Sequence, residues 1–505
     1  MGVVDRYVHR RFERASRQAE ERLGAVAGIR WLLRYVFPDH WSFLIGEIAL
    51  YSFMVLIGTG IFLALYYQPE DSQVIYHGPY LPLVGEQMSG AYRSVVYICF
   101  SIPAGQLFRQ AHHWAADVFV AAIVAHMTRI VFTGAYRKPR DLNFFIGLTM
   151  LMIAVVEGFA GYSLIDDLLS GMGLVIAYAV VLSIPGIGAQ VGYLIWGGPF
   201  PGSSQFFPRL EEFHIFLAPL LLATLITVHL VMIMRQHHSQ FAGPGRRERN
   251  VVGTPLWPAY AFRSVGLMFA TAGVIFLLGG LVQINPIWQW GPFHTYWSEN
   301  GAQPDWYIGW LIGALRLMPN YEPAIGNYTL IPNPFWGGAL FPLVVFGTLF
   351  ALPALERKFT RDRRRHDLLF RPRDRPVHTA LLAGFFSWVF IIFAIGAADR
   401  VFYRLHISYV GMIHFWRGAI WAVPIVVFFI TKNTCVALRN RRAHPFRAWQ
   451  GAVIMRNPDG TVEILAEAPD RIEAPPTERP VGTVPGQEPV GPSLDQMPGE
   501  PKHAS

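Results

Sequence analysis

The sequence predicts an all-α polytopic membrane protein with eight transmembrane helices. Three observations carry this: a low charge content, a series of long apolar runs, and clusters of basic residues in alternate loops. Of 505 residues, 52% are hydrophobic and only 15% charged, and the mean hydropathy is +0.31. A soluble domain carries about a quarter charged residues, so a water-soluble enzyme is excluded. The two cysteines, Cys99 and Cys435, are too few for a disulfide framework or an all-cysteine iron–sulfur centre.

Taken in order, residues 1–40 are polar and Arg-rich, with Val4, Tyr7, Val8 and Phe12 at helical period and no apolar signal-peptide core. They read as an amphipathic helix on an anionic membrane surface. Apolar stretches long enough to cross a bilayer follow near 43–67, 110–132, 144–164, 210–235, 262–283, 335–353, 377–396 and 408–430. A further run, 172–196, is equally apolar but broken by Ser183-Ile184-Pro185-Gly186-Ile187-Gly188.

Charge decides its status. Lys and Arg gather in short cytoplasmic loops. They cluster here in the N-terminal segment, at Arg137-Lys138-Pro139-Arg140, at Arg246-Arg247-Glu248-Arg249, through 356–376, and at Arg439, Arg441, Arg442 and Arg447. Segments 162–208 and 284–315 contain neither residue. Eight crossings put every cluster and both termini inside, whereas a ninth at 172–196 would reverse the later ones. Residues 168–198 are therefore expected as two short helices on the outer surface, kinked at the Pro-Gly. The chain divides into an amphipathic segment (1–40), a four-helix bundle (41–240), a second four-helix part with an outer loop (241–432), and a cytoplasmic tail (433–505). In the tail, Val453–Leu465 alternates around Asn457-Pro458-Asp459-Gly460, which predicts a hairpin. From Ala474 onward Pro, Gly, Glu and Ser predominate, the composition of a disordered segment. No nucleic-acid signature is present, and topology accounts for the basic loops.

Ionisable residues inside spans are costly and point to function. His112 and His126 lie fourteen apart on the second span, on one face and about 21 Å apart along the axis. His113 lies about 100° off that face. His214 and His229 lie fifteen apart on the fourth span, again roughly on one face. Both helices run outside to inside, so His112 is level with His214, and His126 with His229. Two stacked bis-histidine sites suit low-spin haem iron, whose closed coordination favours electron transfer. Gly46 and Gly60 on the first span, and Gly147 and Gly161 on the third, repeat the fourteen-residue stagger. Glycine lets a flat macrocycle approach a helix. The expected N-terminal half is thus a dihaem four-helix bundle.

At this point residues 41–430 resemble cytochrome b of the cytochrome bc complexes. The resemblance rests on the spaced glycines and paired histidines, Arg109 before the outer histidine, and His126-Met127-Thr128-Arg129. Trp196-Gly197-Gly198 and the outer-loop quartet Pro304-Asp305-Trp306-Tyr307 add to it. It implies two b haems, on His112 with His214 and on His126 with His229, and propionate partners in Arg109 and Arg129. It implies quinol oxidation near 304–307, with Asp305 and Tyr307 in the quinol site and Asp305 as proton acceptor. Glu157, one turn before Gly161, is the second carboxylate candidate. Asp166 and Asp167 read as a helix cap at the surface, and Arg235, Gln236, His237 and His238 lie at the inner end of the fourth helix, where a quinone site is expected.

Departures from the family pattern are informative. The fifteen-residue fourth-helix spacing resembles the chloroplast and Gram-positive type, while the single eight-span chain resembles the mitochondrial one. Asp305 stands where the family commonly has Glu, and Gly161-Tyr162-Ser163-Leu164 is followed by Ile165-Asp166-Asp167 rather than Pro-Trp-Gly. The long basic N-terminus and extended tail resemble actinobacterial members. That implies menaquinone, a Rieske iron–sulfur subunit, a c-type cytochrome subunit with two haems, a homodimer of complexes, a terminal-oxidase supercomplex, and the bacterial plasma membrane. A dihaem membrane anchor of another oxidoreductase and a haem-free proton-coupled transporter are the rival readings; the first lacks the 304–307 motif and the second predicts a colourless protein.

Overall fold

The computed structural model describes residues 25–296 and 304–441, isolated positions between 11 and 21, and the strands 454–456 and 462–464. Among the described residues, eight helices are long and apolar enough to cross a bilayer: Trp41–Ala64, Gly105–Thr133, Asp141–Ser163, Phe206–Gln236, Leu256–Leu281, Trp336–Thr360, Pro376–Ile395 and Tyr409–Asn440. A backbone in hydrocarbon must satisfy its own hydrogen bonds, and a helix does so within one segment. The disputed run becomes two helices, Leu168–Leu182 and Gly188–Trp196, joined through Ser183–Ile187. Neither is long enough to cross. Val4, Tyr7, Val8 and Phe12 lie outside the described residues, as does most of that segment before residue 25; the helix described within it is Ala25–Leu33.

Packing divides the chain into Met1–Asn440 and Arg441–Ser505. In the first unit, the first span packs on the second, the third on the fourth, and the fifth covers the first and second. The centre of the four-helix group is apolar: Ala49 and Phe53, Phe119 and Ala122, Ala154, and Leu222 come from spans one to four in turn. A second core joins Phe341 and Val345, Ile391 and Ile395, and Met412 and Ile413 from the last three spans. In the second unit, Ile454–Arg456 pairs antiparallel with Val462–Ile464; the expected turn between them lies outside the described residues.

One membrane face is stitched together by the basic loops. The second span ends on Gly134 at φ +66°, whose amide donates to Ile130 and Val131 carbonyls, a left-handed closure that suits glycine. Arg140, six residues on, is 9% exposed. It donates to the His366 carbonyl at 2.9 Å, the His237 carbonyl at 2.8 Å and Asp367 Oδ1 at 2.9 Å. Gln240–Phe241 pairs in parallel with Leu368–Leu369, and Val36–Pro38 antiparallel with Gly253–Pro255. These basic loops therefore do more than record topology. Arg140→Ala leaves the buried Asp367 with less compensation and frees two carbonyls, so it should lower stability by about 3 kcal/mol. Thermal unfolding of the purified protein checks this, and an unchanged midpoint would deny Arg140 its clamping role.

Candidate functional site

The second and fourth spans place His112 and His214 with ring centroids 6.2 Å apart and planes at 82°. Each predicted glycine faces one predicted histidine. A Cβ at Gly60 would lie 3.2 Å from His112 Cε1, and one at Gly46 would lie 3.1 Å from His126 Cε1. A Cβ at Gly147 would lie 3.9 Å from His229 Cε1, and one at Gly161 would clash with the His214 ring. Two levels result: Gly60, His112, Gly161 and His214 at one, Gly46, His126, Gly147 and His229 at the other. The Phe53–Phe119 core lies between them.

The polar surroundings are sparse. His112 Nδ1 is 2.9 Å from Thr59 Oγ1, which fixes that ring. The Nδ1 atoms of His126, His214 and His229 are buried without a hydrogen-bond partner among the described residues. Glu157 Oε1 lies 2.9 Å from His214 Nδ1, an ion-pair contact without hydrogen-bond alignment, and Glu157 Oε2 has no partner. Arg109 donates to the Asn285 carbonyl at 3.1 Å, but its Nε is unpartnered. Arg129 stacks 4.1 Å over Phe43, with Nε and Nη2 unpartnered. Among the described residues no group of three or more His, Cys, Asp or Glu side chains is gathered; the histidines come in twos.

The outer loop enters beside the first level. Gln110 anchors it by donating to the Ile284 carbonyl and accepting from its amide, both at 2.9 Å, and Trp114 donates to the Val282 carbonyl. Further along, Asp305 and Tyr307 drop between the second and third spans, with Tyr307 3% exposed against Val120, Val155 and Phe159. Both Asp305 oxygens lie 3.0 Å from His113 Nε2, and the Tyr307 hydroxyl donates to Oδ2 at 3.1 Å. A Cβ at Gly158 would lie 2.8 Å from Tyr307 Oη. Asp117 is a close electrostatic neighbour of both His113 and Asp305.

His113, Asp117 and Gly158 are the residues sequence reasoning missed. The only signal was the i, i+4 spacing of His113 and Asp117, which puts them on one helix face. Asp167 does cap Leu168–Leu182, accepting from Ser170 N at 2.8 Å. It is fully buried and Asp166 nearly so, rather than at the surface. Burial pushes the two carboxyls up, to about 7 for Asp166 and about 6 for Asp167. At the opposite face the His238 ring sits among Phe37, Tyr35 and Phe43 at 4.9, 5.7 and 6.4 Å. Burial, then Arg140 and Arg129, lower its pKa to about 3.

With this geometry in hand, similarity to known proteins is decisive. The chain is 39% identical over 449 residues to the cytochrome bc1 complex cytochrome b subunit of Streptomyces coelicolor, covering 89% of this chain and 82% of that one. The subunit of the same name from Mycobacterium leprae is 43% identical over 450 residues, covering 88% and 81%. The chain belongs to the cytochrome b family. A family model described as cytochrome b (N-terminal)/b6/petB matches residues 117–292. The Corynebacterium diphtheriae cytochrome b subunit is 42% identical over 420 residues, covering 83% and 77%. A solved structure titled hyperthermophilic respiratory Complex III superposes with a TM-score of 0.61 at 19% identity, over 82% of this chain and 99% of that one, which shows the shared fold. The protein is thus a multi-pass cytochrome b of a bc1-type complex, an oxidoreductase assembly of electron transport, and the family implies haem b. The readings as an anchor of a different oxidoreductase or as a haem-free transporter fall away.

Burial raises the Asp305 carboxyl, but His113 and Tyr307 outweigh it and hold the group below the ordinary value. Its contribution to stability is therefore present above about pH 4 and lost as pH falls through the depressed value. Replacing His113 by Asn leaves Tyr307 alone against burial. The protonated-carboxyl infrared band, assigned by its loss in Asp305→Asn, should then appear at higher pH. An unchanged onset would show that Asp305 does not depend on His113.

Proposed function

We propose that this cytochrome b oxidises quinol, most consistent with menaquinol, at an outer site beside Asp305 and Tyr307. One electron passes to a Rieske iron–sulfur subunit and the other crosses the membrane to a quinone at an inner site, with protons released outside and taken up inside. The observation that carries the reading is the facing of four glycines on two spans by four histidines on two others. The residues fit haem. Haem would bring nitrogen ligands of its own, so two histidines would suffice to hold it where a bare metal would need more. The glycine backbones leave room for a flat ring edge, and the unpartnered atoms of Arg109 and Arg129 suit propionates. Two b haems, one on His112 with His214 and one on His126 with His229, would supply one-electron centres at two depths.

The protein's own residues prepare the outer chemistry. A base must meet a quinol hydroxyl in a pocket that excludes bulk water. Asp305 is held by His113 on both oxygens and by the Tyr307 hydroxyl, so its lone pairs are oriented before a substrate arrives. Glu157, beside His214, is a second proton acceptor with one free oxygen. On this reading residues 41–240 form the dihaem bundle, 241–432 supply the quinol loop, and 1–40 and 433–505 lie in the cytoplasm of a bacterial cell. The assembly would include a c-type cytochrome subunit with two haems, a second copy of the complex and a terminal oxidase.

Absorbance of the purified protein should report two b-type haems per polypeptide; a colourless protein rejects the reading. Gly60→Leu should leave one, because the larger side chain occupies the space in front of His112. Two haems in that variant would separate the glycine from cofactor binding. Asp305→Asn should lower quinol oxidation by about 10²–10⁴-fold with both haem spectra intact. Undiminished turnover would remove Asp305 from the proton path.

A further inference from the structure

The four glycines that face the histidines differ in the residue just before them. Gly46, Gly147 and Gly161 follow Ile45, Ile146 and Ala160, none of which has a hydrogen-bonding side chain, whereas Gly60 follows Thr59. Thr59 is 2% exposed. Its single hydroxyl proton is committed within the first span, to the Val55 carbonyl at 2.7 Å and the Leu56 carbonyl at 3.3 Å. The hydroxyl oxygen therefore meets His112 Nδ1, 2.9 Å away, as an acceptor. That assigns the proton on the ring: Nδ1 carries it, and Nε2 is the nitrogen left for a metal.

The other three histidines lack this arrangement. Nδ1 of His126 and of His229 has no hydrogen-bond partner among the described residues, and Glu157 lies 2.9 Å from His214 Nδ1 without hydrogen-bond alignment. Thr59 thus gives the outer level an aligned side-chain acceptor that, among the described residues, the inner level does not have. A hydrogen bond donated by the non-ligating nitrogen of a metal-binding imidazole fixes the ring and raises its basicity. Greater basicity favours the oxidised metal, so a hydrogen bond behind the ligand is one of the protein's levers on a haem potential.

We propose that Thr59 is a positioning residue for the outer haem. It orients the His112 imidazole and, by accepting from Nδ1, holds the potential of that level below the value that His112 and His214 would give alone. An electron there is then released more readily toward the inner level. This role rests on the two-haem reading and adds to it a residue that neither the histidine spacing nor the glycine stagger identifies.

The test is an optical redox titration of the purified complex, the outer component being the one lost in Gly60→Leu. Thr59→Val removes the hydroxyl at nearly constant shape and should raise the outer potential. At a fixed potential the oxidised-to-reduced ratio of that component should fall by roughly three- to tenfold, and Thr59→Ser should return it. The inner component should stay in place in both variants. Ile45→Thr puts a hydroxyl at the matching position before Gly46, where a Cβ on the glycine would lie 3.2 Å from His126 Nδ1. It should lower the inner potential by a similar factor. Two haems with unchanged potentials in both Thr59→Val and Ile45→Thr overturn the proposal and leave the two-haem reading standing. Equal shifts of both components in Thr59→Val would report a general loosening and overturn it as well. Should Thr59→Val lose the outer haem, Ile45→Thr decides: a lowered inner potential supports the role and an unmoved one rejects it. A colourless wild-type protein rejects the two-haem reading, and this role with it.

Discussion

The arrangement depends on one constraint: the second and fourth spans must cross the membrane in the same direction. Only then do side chains spaced by fourteen and fifteen residues fall level with each other. That direction is set by what happens between them, because a single extra crossing would invert the fourth helix. The segment after Ser163 avoids crossing by breaking into two helices of 15 and 9 residues. The break at Ser183–Ile187 is therefore as important to the histidine levels as the histidines themselves.

A second constraint follows from solvent. In hydrocarbon there is no water to complete a polar group, so each one needs a protein partner or a ligand. Glu47 shows the first solution: it accepts from Tyr51, Tyr260 and Ser264 and ties the first span to the fifth. His126, His214, His229 and Arg129 show the second, each keeping an atom without a hydrogen-bond partner among the described residues at the level where a cofactor is proposed. The contrast between a fully paired glutamate and unpaired imidazoles, both within spans, separates architecture from chemistry better than burial does.

The spans and the histidine pairs were legible in the sequence because both are periodic, and period survives without a partner. Loop charge was legible because it accumulates on one side. What was not legible joins distant positions. His113 and Asp305 are separated by 192 residues, and nothing in either neighbourhood names the other; His113 was set aside because it misses the face of His112, yet that offset is what lets it reach the loop. Arg140 looked like a topological charge and proved to be a clamp over loops 97 and 226 residues away. Asp166 and Asp167 looked like surface caps because the sequence does not show which loop folds over them. The isolated bridge of Asp167 with Pro292 supplies that cover.

The separation of the two histidine levels has an electrical consequence. Fourteen residues of helix correspond to about 21 Å, against a hydrocarbon thickness of about 30 Å. A unit charge displaced from one level to the other thus traverses roughly two thirds of the insulating layer, and with it a similar share of any voltage across the membrane. At about 2.3 kcal/mol per 100 mV for a full crossing, that displacement exchanges about 1.5 kcal/mol with the field. The span register makes the bundle a capacitor gap of fixed width, and the Phe53–Phe119 core is its dielectric.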